Sequence, residues 1–84
     1  MTKEQIAEFE YLFNYYSKRF ALYEDERVEN RASMIALQRA VKIFGYKFEP
    51  KGIVNEYGIE YQKFKIFHFP YWLNGWTSVL YIYR

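Results

Sequence analysis

Apolar residues recur along this chain in two different rhythms, and the change of rhythm divides it. Ile6, Phe9, Phe13, Tyr16, Phe20 and Tyr23 follow one another at steps of three and four, the spacing of one face of an α-helix. Leu12 widens that face, while Glu4, Glu8, Lys18 and Arg19 fall on other sides. Ahead of it, Thr2-Lys3-Glu4-Gln5 has the form of a capping box, with a hydroxyl for the first free N–H groups and Gln5 reaching back. A second helical set is Met34, Leu37, Val41 and Phe44, widened by Ile35, Ala36 and Ala40. Gly45 ends it as the residue after the cap, and Arg39 and Lys42 sit near the negative end of the helix dipole.

Residues 24–31, Glu-Asp-Glu-Arg-Val-Glu-Asn-Arg, join the two sets without a glycine or proline. Two arrangements satisfy this stretch. One is a helical hairpin turning near Tyr23 to Glu26, with Asp25 as the second N-cap. The other is a single helix from 3 to 44, which would place Asn30 on a coiled-coil seam and suggest a dimer. The hairpin is favoured, because a helix of about 60 Å would overhang so small a domain.

After Gly45 the period shortens to two. Tyr46 and Phe48 alternate with Lys47 and Glu49 as a short strand, and Glu49-Pro50-Lys51-Gly52 suits a type I turn. Asn55-Glu56-Tyr57-Gly58 is a second turn candidate. Ile59 to Phe69 reads as one long strand feeding a hairpin that reverses at Asn74-Gly75, the strongest short hairpin signal in the chain. Counting from that turn pairs Leu73 with Trp76, Tyr71 with Ser78, Phe69 with Leu80 and Phe67 with Ile82 on one buried face. Ile66, His68, Trp72, Thr77, Val79, Tyr81 and Tyr83 then share the other. Carried backward, the register puts Ile59, Tyr61, Lys63 and Lys65 on the core side. Two buried lysines are a conflict that requires a bulge near 64–66 or an overhanging strand. Pro70 belongs at an edge or bulge. The pattern predicts a single α+β domain over residues 1–84. Its helical part (1–45) packs on a three- or four-stranded antiparallel sheet (46–84) ending in the Asn-Gly hairpin.

Composition narrows the chemistry. The 84 residues contain no cysteine and one histidine, which argues against disulfides, thiol nucleophiles and thiolate or histidine metal sites. His68 stands in an aromatic strand without a serine or carboxylate motif, and the four glycines are isolated turn residues, not a phosphate loop. Glu24, Asp25, Glu26 and Glu29 suit a helix N-terminus better than an acid–base pair. No catalytic residue, cofactor or metal is expected. The N-terminal MTKEQIAEFE lacks a signal pattern, and the uncharged run 66–83 is broken by Pro70, Asn74-Gly75 and His68, so a cytoplasmic protein without a transmembrane segment is expected.

With a formal net charge of only +2, electrostatics alone do not point to nucleic acid. The aromatic content of 24% says more, because ten tyrosines and two tryptophans exceed what a core of this size can hide with their polar ends satisfied. Trp72, Tyr81, Tyr83, Tyr57 and His68 are therefore candidate contacts for a protein partner or a second copy. The alternative is a nucleic-acid-binding regulator using Lys63, Phe64 and Lys65 of the long strand with Arg31, Arg39 and Lys42 of the second helix. In its size, its helical segment ending in Phe44-Gly45-Tyr46 and its lack of active-site motifs, the chain resembles the small accessory or inhibitor proteins made by phages and mobile elements. That resemblance implies a non-enzymatic protein that binds a larger macromolecule, and it assigns a role to no residue.

Overall fold

The computed structural model describes residues 1–68. Two helices pack on a two-stranded antiparallel sheet, an α+β arrangement. The Asn74-Gly75 hairpin, its register, Pro70 and any third or fourth strand lie outside the described residues.

Helix α1 spans Lys3–Leu22 and opens with the capping box: Gln5 N–H donates to Thr2 Oγ1 at 3.1 Å, and Thr2 N–H donates to Gln5 Oε1 at 2.9 Å. It stops because Tyr23 turns extended (φ −114°, ψ 97°), and a short 3-10 turn over Glu24–Glu26 leads into helix α2, Arg27–Ile43. The helical hairpin is thus the arrangement adopted, and the single long helix is not. Two arginines make the corner that no glycine or proline announces. Arg19 pairs with Glu26 at 2.9 Å, and Arg27 Nε donates to the Phe20 carbonyl at 3.2 Å, satisfying an acceptor at the end of α1. Asp25 lies within the 3-10 turn, and the N-cap of α2 is Glu26, which makes no side-chain capping bond. Gly45, at φ 79°, ends the helical half, its N–H donating to the Lys42 carbonyl at 3.0 Å.

Strand β1 runs over Tyr46–Glu56 and β2 over Ile59–His68. They are joined by Tyr57-Gly58, both at positive φ (54° and 82°), the sign pattern of a type I′ turn. Asn55 Oδ1 accepts from Gly58 N–H at 3.0 Å and braces it. The other proposed turn, Glu49-Pro50-Lys51-Gly52, is not one. It lies inside β1, where the register shifts between Pro50 and Gly52 so that Lys51 is the extra residue. The same residue types serve turns and bulges, and here the ladder continues on both sides.

The core is small. Phe13, Val41, Phe48 and Ile66 form its centre, with Ile6, Phe9, Met34, Leu37, Tyr46 and Phe64 against it. Phe13 stacks on Phe48 with ring centroids 3.9 Å apart and meets Phe64 edge-on at 4.8 Å. Ile66 lies opposite Phe48 in the ladder, so the even-numbered side of β2 at 64–66 faces the helices. This reverses the side inferred from the Asn-Gly register, and it resolves the lysine conflict: Lys65 and Phe67 point to the exposed side. The irregularity sits in β1, not at 64–66 of β2.

How α1 meets β2 follows from its polar side chains. Asn14 Nδ2 donates to the Phe64 carbonyl at 3.0 Å, and Phe64 N–H donates to Asn14 Oδ1 at 2.7 Å. Ser17 Oγ donates to the Gln62 carbonyl at 2.6 Å, and Ile66 N–H donates to Glu10 Oε2 at 3.1 Å. Residues 10, 14 and 17 rise about 10 Å along one flank of a helix. Residues 66, 64 and 62 span about 13 Å of strand on the side turned away from β1. The near match lets one helix satisfy the sheet edge as a third strand would. An open edge is a template for unwanted pairing. On β1 the corresponding edge is blunted by Pro50, which has no N–H, and by the bulge.

Candidate functional site

With one flank of α1 on the sheet edge and another in the core, its outward side is left to solvent. That side carries Tyr11, Tyr15, Lys18 and Leu22, at i, i+4, i+7 and i+11. Tyr11 is 68% exposed, and Tyr15 and Leu22 are also exposed. The stripe is internally ordered. The Tyr11 and Tyr15 rings stack at 6.5 Å, Arg19 lies over Tyr15 at 5.6 Å and over Tyr23 at 4.7 Å, and Tyr16 meets Tyr15 edge-on at 5.2 Å. Such a surface loses little conformational entropy when it is covered.

Lys18 links the stripe to the tip of the β-hairpin. Its ammonium stands 5.9 Å from the Tyr57 ring centroid and 5.9 Å from that of Tyr61. It pairs with Glu56 at 3.5 Å, and Lys63 approaches the same carboxylate at 3.9 Å. Tyr61 is buried and its hydroxyl donates to Glu56 Oε1 at 2.7 Å. Tyr57 instead projects at the tip, 99% exposed and in the left-handed region that a tyrosine rarely occupies. A strained, fully exposed aromatic at a hairpin tip adds nothing to the core, which is the pattern of a contact residue.

The Glu56–Tyr61 pair shifts both groups. The hydrogen bond from Tyr61 pulls the Glu56 carboxyl below its usual range against an opposing effect of burial, and Lys63 and Lys18 add to the lowering. Burial first, then the hydrogen bond and charge of Glu56, push the Tyr61 phenol up to about 12. A raised phenol favours the folded state fully below the ordinary value of 10.0 and loses that contribution as pH rises through about 12. The lowered carboxyl contributes above its ordinary 4.5 and loses its contribution as pH falls through the depressed value. Tyrosinate absorbance is expected to show Tyr61 ionising late, near pH 12, and Glu56→Gln is expected to bring that step to lower pH. A Tyr61 step unmoved by the substitution contradicts the pairing.

The residues singled out from sequence are distributed as follows. Tyr57 joins the α1 stripe. His68 is exposed and packs its ring 4.8 Å from that of Tyr46, its ladder partner, at the opposite end of the hairpin. Trp72, Tyr81 and Tyr83 lie outside the described residues. Phe64 is engaged in the core with Phe13, Lys63 is held by Glu56, and Lys65 is exposed beside Phe67. Arg31, Arg39 and Lys42 are exposed on α2 and carry no salt bridge among the described residues. Sequence reading missed Tyr11, Tyr15 and Leu22. Their signal was present as a second helical stripe, masked by the stronger Phe9-Phe13-Phe20 set beside it.

Among the described residues, no three His, Cys, Asp or Glu side chains form a metal-binding group, and no helix is long and apolar enough to cross a membrane. The chain matches no protein-family model, no curated protein and no solved structure.

Proposed function

We propose that this chain is a small non-enzymatic protein-interaction module of the accessory or inhibitor kind made by phages and mobile elements. It acts in the cytoplasm by occluding a surface on a larger protein. The observation that carries this reading is the outward stripe Tyr11-Tyr15-Lys18-Leu22, continued by Tyr57, which the fold holds in order and does not use for its own core. Tyrosine with a neighbouring arginine is the composition of binding hot spots. The partner's chemistry follows: an apolar groove wide enough to take stacked phenol rings, with acceptors at its rim for their hydroxyls. Trp72 and Tyr81 belong to the same reading as further contact residues.

Capture from a host-cell lysate on the tagged full chain, followed by titration of the recovered protein, tests it. Tyr11→Ala with Tyr15→Ala is expected to weaken binding at least about 30-fold, two hot-spot truncations of about 1 kcal/mol or more each. Thermal unfolding should be unchanged. Binding that survives both this pair and Tyr57→Ala contradicts the reading.

A nucleic-acid-binding regulator is the second reading, favoured by the exposed Arg31, Arg39 and Lys42, which carry no salt bridge among the described residues. It requires a salt-sensitive mobility shift with single- or double-stranded nucleic acid, and absence of any shift at low salt removes it.

A further inference from the structure

Helix α2 has two apolar sides, and the fold uses one. Met34, Leu37 and Val41 face the core with the buried Asn30. On the opposite side, Val28, Ala32, Ile35, Arg39 and Lys42 form a straight stripe at i, i+4, i+7, i+11 and i+14, with Ile43 beside it. All are exposed, Val28 at 79%, Ile35 at 42% and Ile43 at 82%. Charge along this side is segregated. Glu24 and Asp25, in the 3-10 turn that leads into α2, and Glu29 stand at its beginning and Arg39 and Lys42 at its end, with Arg31 between, while Arg27 turns back to the Phe20 carbonyl. Small and branched aliphatic residues occupy the middle.

We infer that the outward face of α2 is a self-complementary surface on which a second copy of this chain docks antiparallel. An antiparallel crossing centred between Ala32 and Ile35 sets each alanine against the isoleucine of the other copy. Lys42 lies about 13 Å along the helix from that centre, at a rise of about 1.5 Å per residue, and Asp25, in the 3-10 turn before α2 begins, lies about 14 Å away on the opposite side. The acidic end of one copy therefore meets the basic end of the other, twice, as a two-fold interface requires. The opposed helix dipoles favour the same direction. A parallel pairing would set acid on acid and base on base. One helix stripe covers less than the roughly 1,200 Å² of a standard stable interface, which places the pair among weak, transient contacts. This surface is separate from the α1 stripe, and each copy keeps its own stripe open for a partner. Loss of one function by substitution leaves the other measurable.

Sedimentation equilibrium of the full chain over a wide concentration range is the test. The wild type is expected to move from the 10.4 kDa monomer toward twice that mass as concentration rises. Ile35→Glu, at an exposed position, should hold it monomeric with its circular dichroism unchanged. Two charge-reversed chains, Glu24→Lys with Asp25→Lys, and Arg39→Glu with Lys42→Glu, should each associate at least about tenfold more weakly than wild type. An equimolar mixture of the two should associate as well as wild type, because every reversed end then meets a complementary one. A wild type that stays monomeric at the highest soluble concentration overturns the inference. So does a dimer indifferent to Ile35→Glu, or a mixture that fails to associate. A monomer whose α2 basic residues instead carry a nucleic-acid mobility shift overturns it in favour of that ligand.

Discussion

Phe13→Ala is expected to cost about 3–5 kcal/mol of folding stability, the range for a phenylalanine truncated inside a packed core. Phe13 is the residue where all the layers meet. Its ring stacks on Phe48 of β1 at 3.9 Å, takes Phe64 of β2 edge-on at 4.8 Å, and lies in one cluster with Val41 of α2 and Ile66. Nothing nearby can refill the space, because Val41 is already completely buried and Phe48 and Ile66 are held in ladder register. A chain of this length has about 4–13 kcal/mol of total stability, so the loss removes a large share of it. Urea unfolding followed by circular dichroism should show the midpoint falling sharply or the fold absent at room temperature. Tyr11→Ala, on the outer side of the same helix, should change stability by less than about 0.5 kcal/mol. Equal losses at the two positions would contradict the assignment of inner and outer sides.

Asn14→Ala is expected to cost about 2–3 kcal/mol, although alanine is the better helix former. Asparagine gives α1 a disadvantage of about 0.6 kcal/mol in propensity, which the substitution recovers. Against that, it strips both the Phe64 N–H and the Phe64 carbonyl of their partner at a closed edge, and each stranded group costs about 1–3 kcal/mol. The second effect is larger, so the polar residue wins inside a helix. Ser17→Ala removes one donor, to the Gln62 carbonyl, and should cost about 1 kcal/mol. Asn14→Asp separates the two roles: the carboxylate still accepts from Phe64 N–H but cannot donate to the carbonyl. That variant should be stabilised as pH falls and the side chain regains a proton to donate.

Much of this was written in the chain's periodicity. The helix faces, the Thr2 capping box, the stop at Gly45 and the reversal at residues 55–58 each follow from a local rule. The failures share a cause, which is contact between distant residues. The place of the corner, Tyr23 to Glu26, is legible; only its means, Arg19 reaching to Glu26 and Arg27 reaching back to Phe20, seven residues in each case, carries no local signal. Pro50-Lys51-Gly52 has the composition of a turn, yet the ladder on either side absorbs it as a bulge. The inner side of β2 is set by α1, whose Asn14 and Ser17 look like surface residues in a helical pattern and are instead buried against backbone. The same oversight hid the candidate site. Once Glu10, Asn14 and Ser17 are assigned to the sheet edge, Tyr11, Tyr15 and Lys18 are left on the open side.

Closure of the β2 edge by helix side chains also bears on the proposed functions. A protein that docks through an aromatic stripe and a second, aliphatic helix face must not also recruit strands, and among the described residues neither edge of the hairpin offers a clean row of free groups. Strand addition would compete with both docking modes.

Backbone amide hydrogen exchange at Phe64 and Ile66 reads that closure most directly. These N–H groups point away from β1, and among the described residues Asn14 and Glu10 hold them. Protection matching that of Tyr61, which faces the ladder, with selective loss at Phe64 in Asn14→Ala, is the expected result. Exchange at Phe64 and Ile66 as fast as at an exposed loop, in an otherwise protected hairpin, would mean that α1 does not close the edge.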